Sequence, residues 1–181
     1  MKDIWEKIEN WLAINAQNVL SSLADGATDE EIANAEKILG ITFPEDFKAS
    51  YKIHNGQKDN YNLGFTYGWH FLSLENIISE WQVWVDMGEF NNPYSKPKKG
   101  IKNNWFNQKW IPVTSNGNSD HHCLDLDPDK DGKYGQIILL WHDDALRSLQ
   151  AENFTEFLSY FSDYLECGGY RVDEEYGLSF S

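Results

Sequence analysis

The chain has 181 residues, 41% of them hydrophobic, with eight Trp, nine Tyr and ten Phe, and carries a formal net charge of −14. That length suits one domain whose core needs no disulfide or metal staple, and the charge argues against nonspecific attachment to nucleic-acid phosphates or anionic membranes. Cys123 and Cys167 stand far apart with no CxxC pair, which excludes a disulfide framework, and the longest apolar run, 137–141, is too short to cross a bilayer.

The N-terminus, Met1-Lys2-Asp3-Ile4-Trp5-Glu6, is acidic and amphipathic and has no apolar leader run, so the expectation is a soluble, cytoplasmic protein. Asp3 and Glu6 fit a capping box opening a helix with Ile4, Ile8, Trp11, Leu12, Val19 and Leu20 on one stripe, broken by Asp25-Gly26. Thr28 and Glu31 form a second capping box, before a short helix that buries Ile32, Ala35, Ile38 and Leu39 and ends at Gly40. Pro44 suits the first position of a third helix, with Phe47 and Tyr51 inward and Asn55-Gly56 as a left-handed stop.

Residues 61–71 alternate. Tyr61, Leu63, Phe65, Tyr67, Trp69 and Phe71 share one face of a predicted strand or hairpin. Such an aromatic face could stack nucleic-acid bases, but no Arg or Lys is interleaved, and the reading adopted is core packing. Ser73 caps a helix carrying Leu74, Ile77, Ile78, Trp81, Trp84 and Val85. Residues 89–104 form a polar loop with the basic cluster Lys96, Lys98, Lys99 and Lys102, read as solvated rather than as an anion contact.

The centre of the chain is residues 110–141. Trp110 to Thr114 reads as a strand, Ser115 to Asn118 as a tight turn, and His121 to Leu126 as a second strand. In that strand Leu124 and Leu126 face one way, Cys123 and Asp125 the other. After an acidic turn, Gln136 to Trp141 reads as a strand buried on both faces. His142-Asp143-Asp144 turns the chain, and Phe154, Phe157, Leu158, Phe161 and Leu165 define a final helix stopping at Gly168-Gly169. The tail from Tyr170 has no assignable pattern. No linker interrupts the chain, so residues 1–181 are read as one α+β domain: a mixed, mostly antiparallel sheet covered by N-terminal helices and a C-terminal helix.

Two patterns could carry chemistry. Asp127-x-Asp129-x-Asp131-Gly132 opens like an EF-hand calcium loop, but the twelfth position is Ile138, inside a predicted strand. The pattern fails as an EF-hand and is read as an acidic turn. His121, Cys123 and Asp125 share a strand face and could ligate zinc or couple a thiolate to an imidazole. A closed zinc site would need a fourth ligand that nothing nearby supplies, and a strand cysteine is more often a small buried hydrophobe. GxSxG, HExxH, phosphate-binding loops and GxGxxG are all absent from the sequence. No catalytic residue, metal or cofactor is expected.

Several motifs in order resemble the SUKH superfamily, the Smi/Knr type of domain. They are Thr28-x-x-Glu31, Phe43-Pro44-Glu45-Asp46-Phe47, His54-Asn55-Gly56-Gln57, Phe71-Leu72-Ser73-Leu74-Glu75 with Trp81, and Trp110-Ile111-Pro112-Val113 through Leu124-Asp125-Leu126-Asp127-Pro128 to Gly135-Gln136-Ile137-Ile138. The similarity runs from about residue 28 to 166. One departure is Ser119-Asp120, where the family often carries Gly-Asp. The resemblance implies a non-enzymatic α+β domain that acts through protein contacts: bacterial members as immunity proteins neutralising toxins, fungal members as regulators of cell wall and signalling.

On that resemblance the leading expectation is an immunity-type protein that blocks a cognate toxin domain, basic because a nuclease must hold phosphate. The alternative is a regulatory scaffold binding endogenous proteins. Neither nucleic acid nor membrane is an expected partner, and the oligomeric state is left open. The candidate binding surface is acidic: Asp86, Glu89, Asp120, Asp125, Asp127, Asp129, Asp131, Asp143 and Asp144.

Overall fold

Three helix starts follow directly from local capping chemistry. A computed structural model describes residues 1–58, 61–64, 69–88 and 95–180, with the backbone alone at 180. Thr28 accepts the N–H of Glu31, whose carboxylate returns to the N–H of Thr28 at 2.7 Å, opening α3 (Asp29–Leu39). Ser73 and Asn153 likewise accept from the residue three ahead and open α5 (Leu74–Met87) and α6 (Phe154–Glu166). The oxygen in each case satisfies a backbone donor that the helix itself leaves orphaned.

The N-terminal helix departs from expectation. α1 (Lys2–Asn15) begins before Asp3, so Asp3 lies in its first turn and the cap, Met1, makes no side-chain bond. At Ala16 the backbone leaves the helical region and α2 (Gln17–Ser22) starts afresh. One expected stripe is therefore two, with Trp5, Ile8 and Leu12 buried from the first and Val19 from the second. Ile38 of α3, placed inward by its spacing, is 46% exposed. α4 (Glu45–Tyr51) is capped by Pro44 rather than starting with it.

The main sheet has five strands in the order β2 (Lys96–Pro97), β7 (Leu146–Ala151), β6 (Gln136–Leu140), β5 (His121–Asp125) and β3 (Trp110–Pro112). Its pairings are antiparallel except for the parallel β2–β7 contact. The sheet is mixed, mostly antiparallel, and helices cover it, so the fold is α+β. A two-stranded ladder pairs β1 (His70–Phe71) with β4 (Thr114–Ser115), and β8 (Tyr170–Asp173) pairs with β9 (Gly177–Phe180) in a hairpin. Among the described residues of the expected strand over 61–71, β1 is the named strand; residues 65–68 lie outside the described ones, and Leu63, Trp69 and Phe71 are buried.

Both faces of β3, β5 and β6 are dry. Ile111, Leu124 and Ile137 join the helices, the β8–β9 hairpin, Leu63, Phe71 and Leu72 in the larger core, whereas Trp110, Cys123, Ile138 and Leu140 pack with Trp84 and Ile101 in a smaller one. Alternate residues of one strand thus enter two different cores, and every residue of β5 and β6 is buried.

Sequence reading missed β7 because its pattern is inverted: Leu146 and Leu149 are exposed while Arg147 is fully buried. The Arg147 guanidinium donates to the carbonyls of Asp144, Leu146 and Trp105 and lies 5.0 Å from the centre of the Trp105 ring.

Gly56 is not a helix stop, since α4 has already ended. Its φ is +70°, and an added Cβ would lie 2.3 Å from the backbone nitrogen of Ser73. Gly56→Ala is expected to lose more than 2 kcal/mol, about 1–2 from the left-handed backbone and the rest from pushing the start of α5 away. Gly40→Ala, with φ +65° and nothing within 4 Å of the new Cβ, should show the backbone part alone. Denaturant midpoints of the two variants make the comparison.

Candidate functional site

The nine acids proposed as a surface are sorted by the fold into different environments. Asp129, Asp131, Asp143, Asp144 and Asp86 are exposed, Asp127 is half-buried, and Glu89 lies outside the described residues. Asp120 and Asp125 have to be removed from the surface, because both are buried.

Asp125 has a structural task. Its carboxylate accepts the Gln136 side-chain amide at 2.7 Å and the backbone N–H of Asp127 at 3.0 Å, pinning the start of the acidic turn to β6. Burial pushes its pKa up to about 6, against the pull of these hydrogen bonds. Asp120 lies where the chain enters β5. One of its oxygens accepts the backbone and ring N–H groups of His142, both at 2.8 Å, and the other accepts Asn116 at 2.6 Å. Burial works against ionisation there, but these donors still hold Asp120 below the usual carboxylate range.

The basic loop, read from sequence as solvated, closes onto the acidic turn. Lys102 meets Asp127 at 2.6 Å, Lys99 meets Asp131 at 3.7 Å, and Asn107 donates to the second oxygen of Asp127 at 2.9 Å. Hydrogen bonds from Asn107 and Lys102 outweigh burial and lower the pKa of Asp127. The EF-hand-like acids therefore face lysines of their own chain. Asp129 keeps its carboxylate at the turn, accepting the N–H of Lys130.

His121, Cys123 and Asp125 do share a face, but it points into the smaller core. All three are fully buried, and the Trp84 ring stands edge-on 5.0 Å from His121. Desolvation pushes the Cys123 thiol well above its ordinary pKa, so it offers no thiolate. A different grouping was missed: one ligand atom each from Asp120, His142 and Asp143 lies within 4.8 Å of the others. Both oxygens of Asp120 are already occupied within it, as described above.

Among the open features are two adjoining depressions, which the sequence does not reveal because their residues belong to separate helices, caps and turns. The larger, about 780 Å³, lies between α3 and α5 and is lined among others by Asn34, Ile38, Asn55, Leu74, Glu75 and Ile78. Asn55 braces it, accepting the N–H of Leu74 at the start of α5. Gln57, Lys58 and Asn76 also line the smaller depression, about 360 Å³, which reaches Glu80, Ser115 and Gly117. Gln57 is itself tied down: it donates to Ser22 and the Tyr61 carbonyl and accepts the N–H of Phe71.

A helix-covered mixed sheet with His121, Cys123 and Asp125 sealed inside it, and with a surface depression between α3 and α5, defines a non-repetitive α+β domain of SUKH type. The chain belongs to the SMI1 / KNR4 family (SUKH-1), which it matches over residues 26–160. Among curated proteins it is similar to the cell wall assembly regulator SMI1 of Saccharomyces cerevisiae, 27% identical over 94% of this chain and 41% of that protein. It also resembles the cell wall biosynthesis/cell cycle regulator smi1 of Schizosaccharomyces pombe, 25% identical over 97% of this chain and 38% of the relative. The glucan synthesis regulatory protein of Neurospora crassa is 24% identical over 94% of this chain and 39% of its own length. The chain thus spans well under half the length of these relatives. No described helix is long and apolar enough to cross a membrane.

Proposed function

We propose that this chain is a non-enzymatic protein-binding domain of regulatory type, which holds endogenous proteins rather than transforming a substrate. The observation that carries this reading is the likeness, over 94–97% of the chain, to proteins named as regulators of cell-wall and glucan synthesis. The geometry agrees with it. The residues that could have done chemistry, His121 and Cys123, are enclosed by the smaller core, while the surface presents acids and the depression along α3 and α5.

A toxin-neutralising role is the second reading, favoured by the formal net charge of −14 and by the exposed acids Asp129, Asp131, Asp143 and Asp144. A basic toxin would be drawn to such a surface. One experiment separates the two. Crosslinking of the chain in its own host, in cells carrying no toxin gene, should capture defined endogenous proteins under the regulatory reading. Recovery of none, together with rescue of cells from a toxin domain encoded beside the gene, would replace it with the immunity reading. Under either reading, reversing Asp129, Asp131, Asp143 and Asp144 together is expected to slow association with a basic partner by about tenfold or more at low salt and much less at high salt. Stopped-flow association rates at two ionic strengths make the check.

A further inference from the structure

The smaller depression has an unusual wall. Glu80, on α5, lines it and is about one-third exposed, and behind Glu80 lies the fully buried His121, with Nε2 3.8 Å from Glu80 Oε2. The Nδ1 of His121 sits 2.8 Å from the carbonyl oxygen of Thr114, which can only accept, so Nδ1 carries the proton. Desolvation lowers the His121 pKa to about 4, and the ring is neutral at pH 7. A neutral ring protonated at Nδ1 presents a bare lone pair at Nε2. That atom has no hydrogen-bond partner, although it is buried.

A lone pair therefore faces Glu80, whose ionisation burial opposes, and while Glu80 is a carboxylate neither group supplies a proton. Two buried or half-buried acceptors this close are unfavourable until a donor reaches them. Glu80 has no cation within ion-pair distance among the described residues other than this unprotonated ring; Lys58 also lines the depression but makes no ion pair with it. Ser79, Asn76 and Ser115 line the same depression, small polar groups that add acceptor oxygens. A volume of about 360 Å³ is at the small end of ligand sites, enough for one extended side chain.

We propose that this depression binds one basic side chain, arginine or lysine, projecting from a partner protein, with Glu80 as the ion-pairing acceptor and His121 as the positioning residue behind it. The assignment rests on the protein-binding reading above and names a contact within it. Glu80 holds the cation directly; His121, lacking a proton at Nε2, cannot neutralise the carboxylate and leaves its charge for the incoming donor.

The test uses capped amino acids, so it requires no identified partner. N-acetyl-arginine amide, N-acetyl-lysine amide and the uncharged N-acetyl-citrulline amide are titrated into the folded, ¹⁵N-labelled chain. Saturable amide shifts at Ser79, Glu80, Ser115 and Gly117 are expected with the first two and not with the third. Glu80→Gln, which keeps shape and removes charge, should weaken binding about tenfold or more while leaving the thermal melt close to that of the parent. Unchanged shifts in Glu80→Gln, or shifts scattered over the acidic surface, would overturn the proposal. Free arginine binding much more tightly than the capped form would reassign the site to a small molecule. Failure here leaves the regulatory reading intact, and failure of the crosslinking experiment leaves a measured probe site intact, so the two can be told apart.

Discussion

Replacing Phe47 by alanine is expected to cost about 3–5 kcal/mol, among the largest single-residue losses in the larger core. Phe47 is fully buried, stacked between Phe43 at 4.4 Å and Tyr51 at 4.2 Å, with the Phe154 ring edge-on at 5.1 Å. Those contacts join the end of the Ile41–Pro44 connection, α4 and α6, so the hole left by alanine lies where separate elements meet. Tyr51 cannot relax into it freely, because its hydroxyl donates to the carbonyl of Leu72 at 2.8 Å. For a chain of this size the loss corresponds to roughly 6–20 °C in Tm. Phe47→Leu should recover a substantial part, since it removes less volume. Calorimetry of both variants decides: equal small losses would show that the aromatic stack is not a keystone.

The second large effect is loss of stability in acid. His121 and His122 are adjacent in β5 and both fully buried, one facing each core. Desolvation takes the His121 pKa down to about 4 and that of His122 down to about 3, from an ordinary 6.5. The sign follows from proton counting. Between pH 6.5 and these lowered values the unfolded chain takes up protons that the native rings refuse, so stability present above pH 6.5 is lost as pH falls through that window.

Asp125 acts in the opposite sense. With a native pKa of about 6 against an ordinary 3.8, it binds its proton first in the folded state and gains stability as pH falls over that interval. Glu80, also raised by burial, adds in the same direction. Two histidines outweigh these carboxyls, and the net loss between pH 7.5 and pH 4.5 is expected to be on the order of 3 kcal/mol, at about 1.4 kcal/mol per pKa unit. His122→Phe should flatten the profile. Its ring lies among Trp69 and Phe157, at 4.7 Å and 5.0 Å, where an apolar ring fits. Urea midpoints against pH for the two proteins make the comparison, and an unflattened profile would exclude His122 as a source.

What the sequence determined by itself is what local chemistry can specify. The caps at Thr28 and Ser73, the glycine stop at Gly40, and the apolar faces of α3, α5 and α6 all arise from residues three or four positions apart. The two long apolar strands, β5 and β6, were legible for the same reason, and ordered motifs along the chain pointed to the family that residues 26–160 match.

Only tertiary structure decided the rest. Alternation shows that His121, Cys123 and Asp125 share a face; it does not say whether that face meets water or a second core. Here Trp84, Ile101 and Trp110 cover it, and a supposed reactive surface becomes interior. Lys102 and Asp127, or Glu80 and His121, are far apart in sequence, and their meeting depends on how β2 is laid beside β7 and α5 across the sheet. β7 escaped detection because the terminal nitrogens of its buried cation donate to three carbonyls, two of them within three residues and the third from the loop before β3. The tail became a hairpin through the burial of Tyr170 and Leu178 in the larger core, which no pattern within the tail itself encodes. Hydrophobic periodicity records which side of an element is apolar. What comes to lie against that side is settled by long-range packing, and with it the difference between a site and a core.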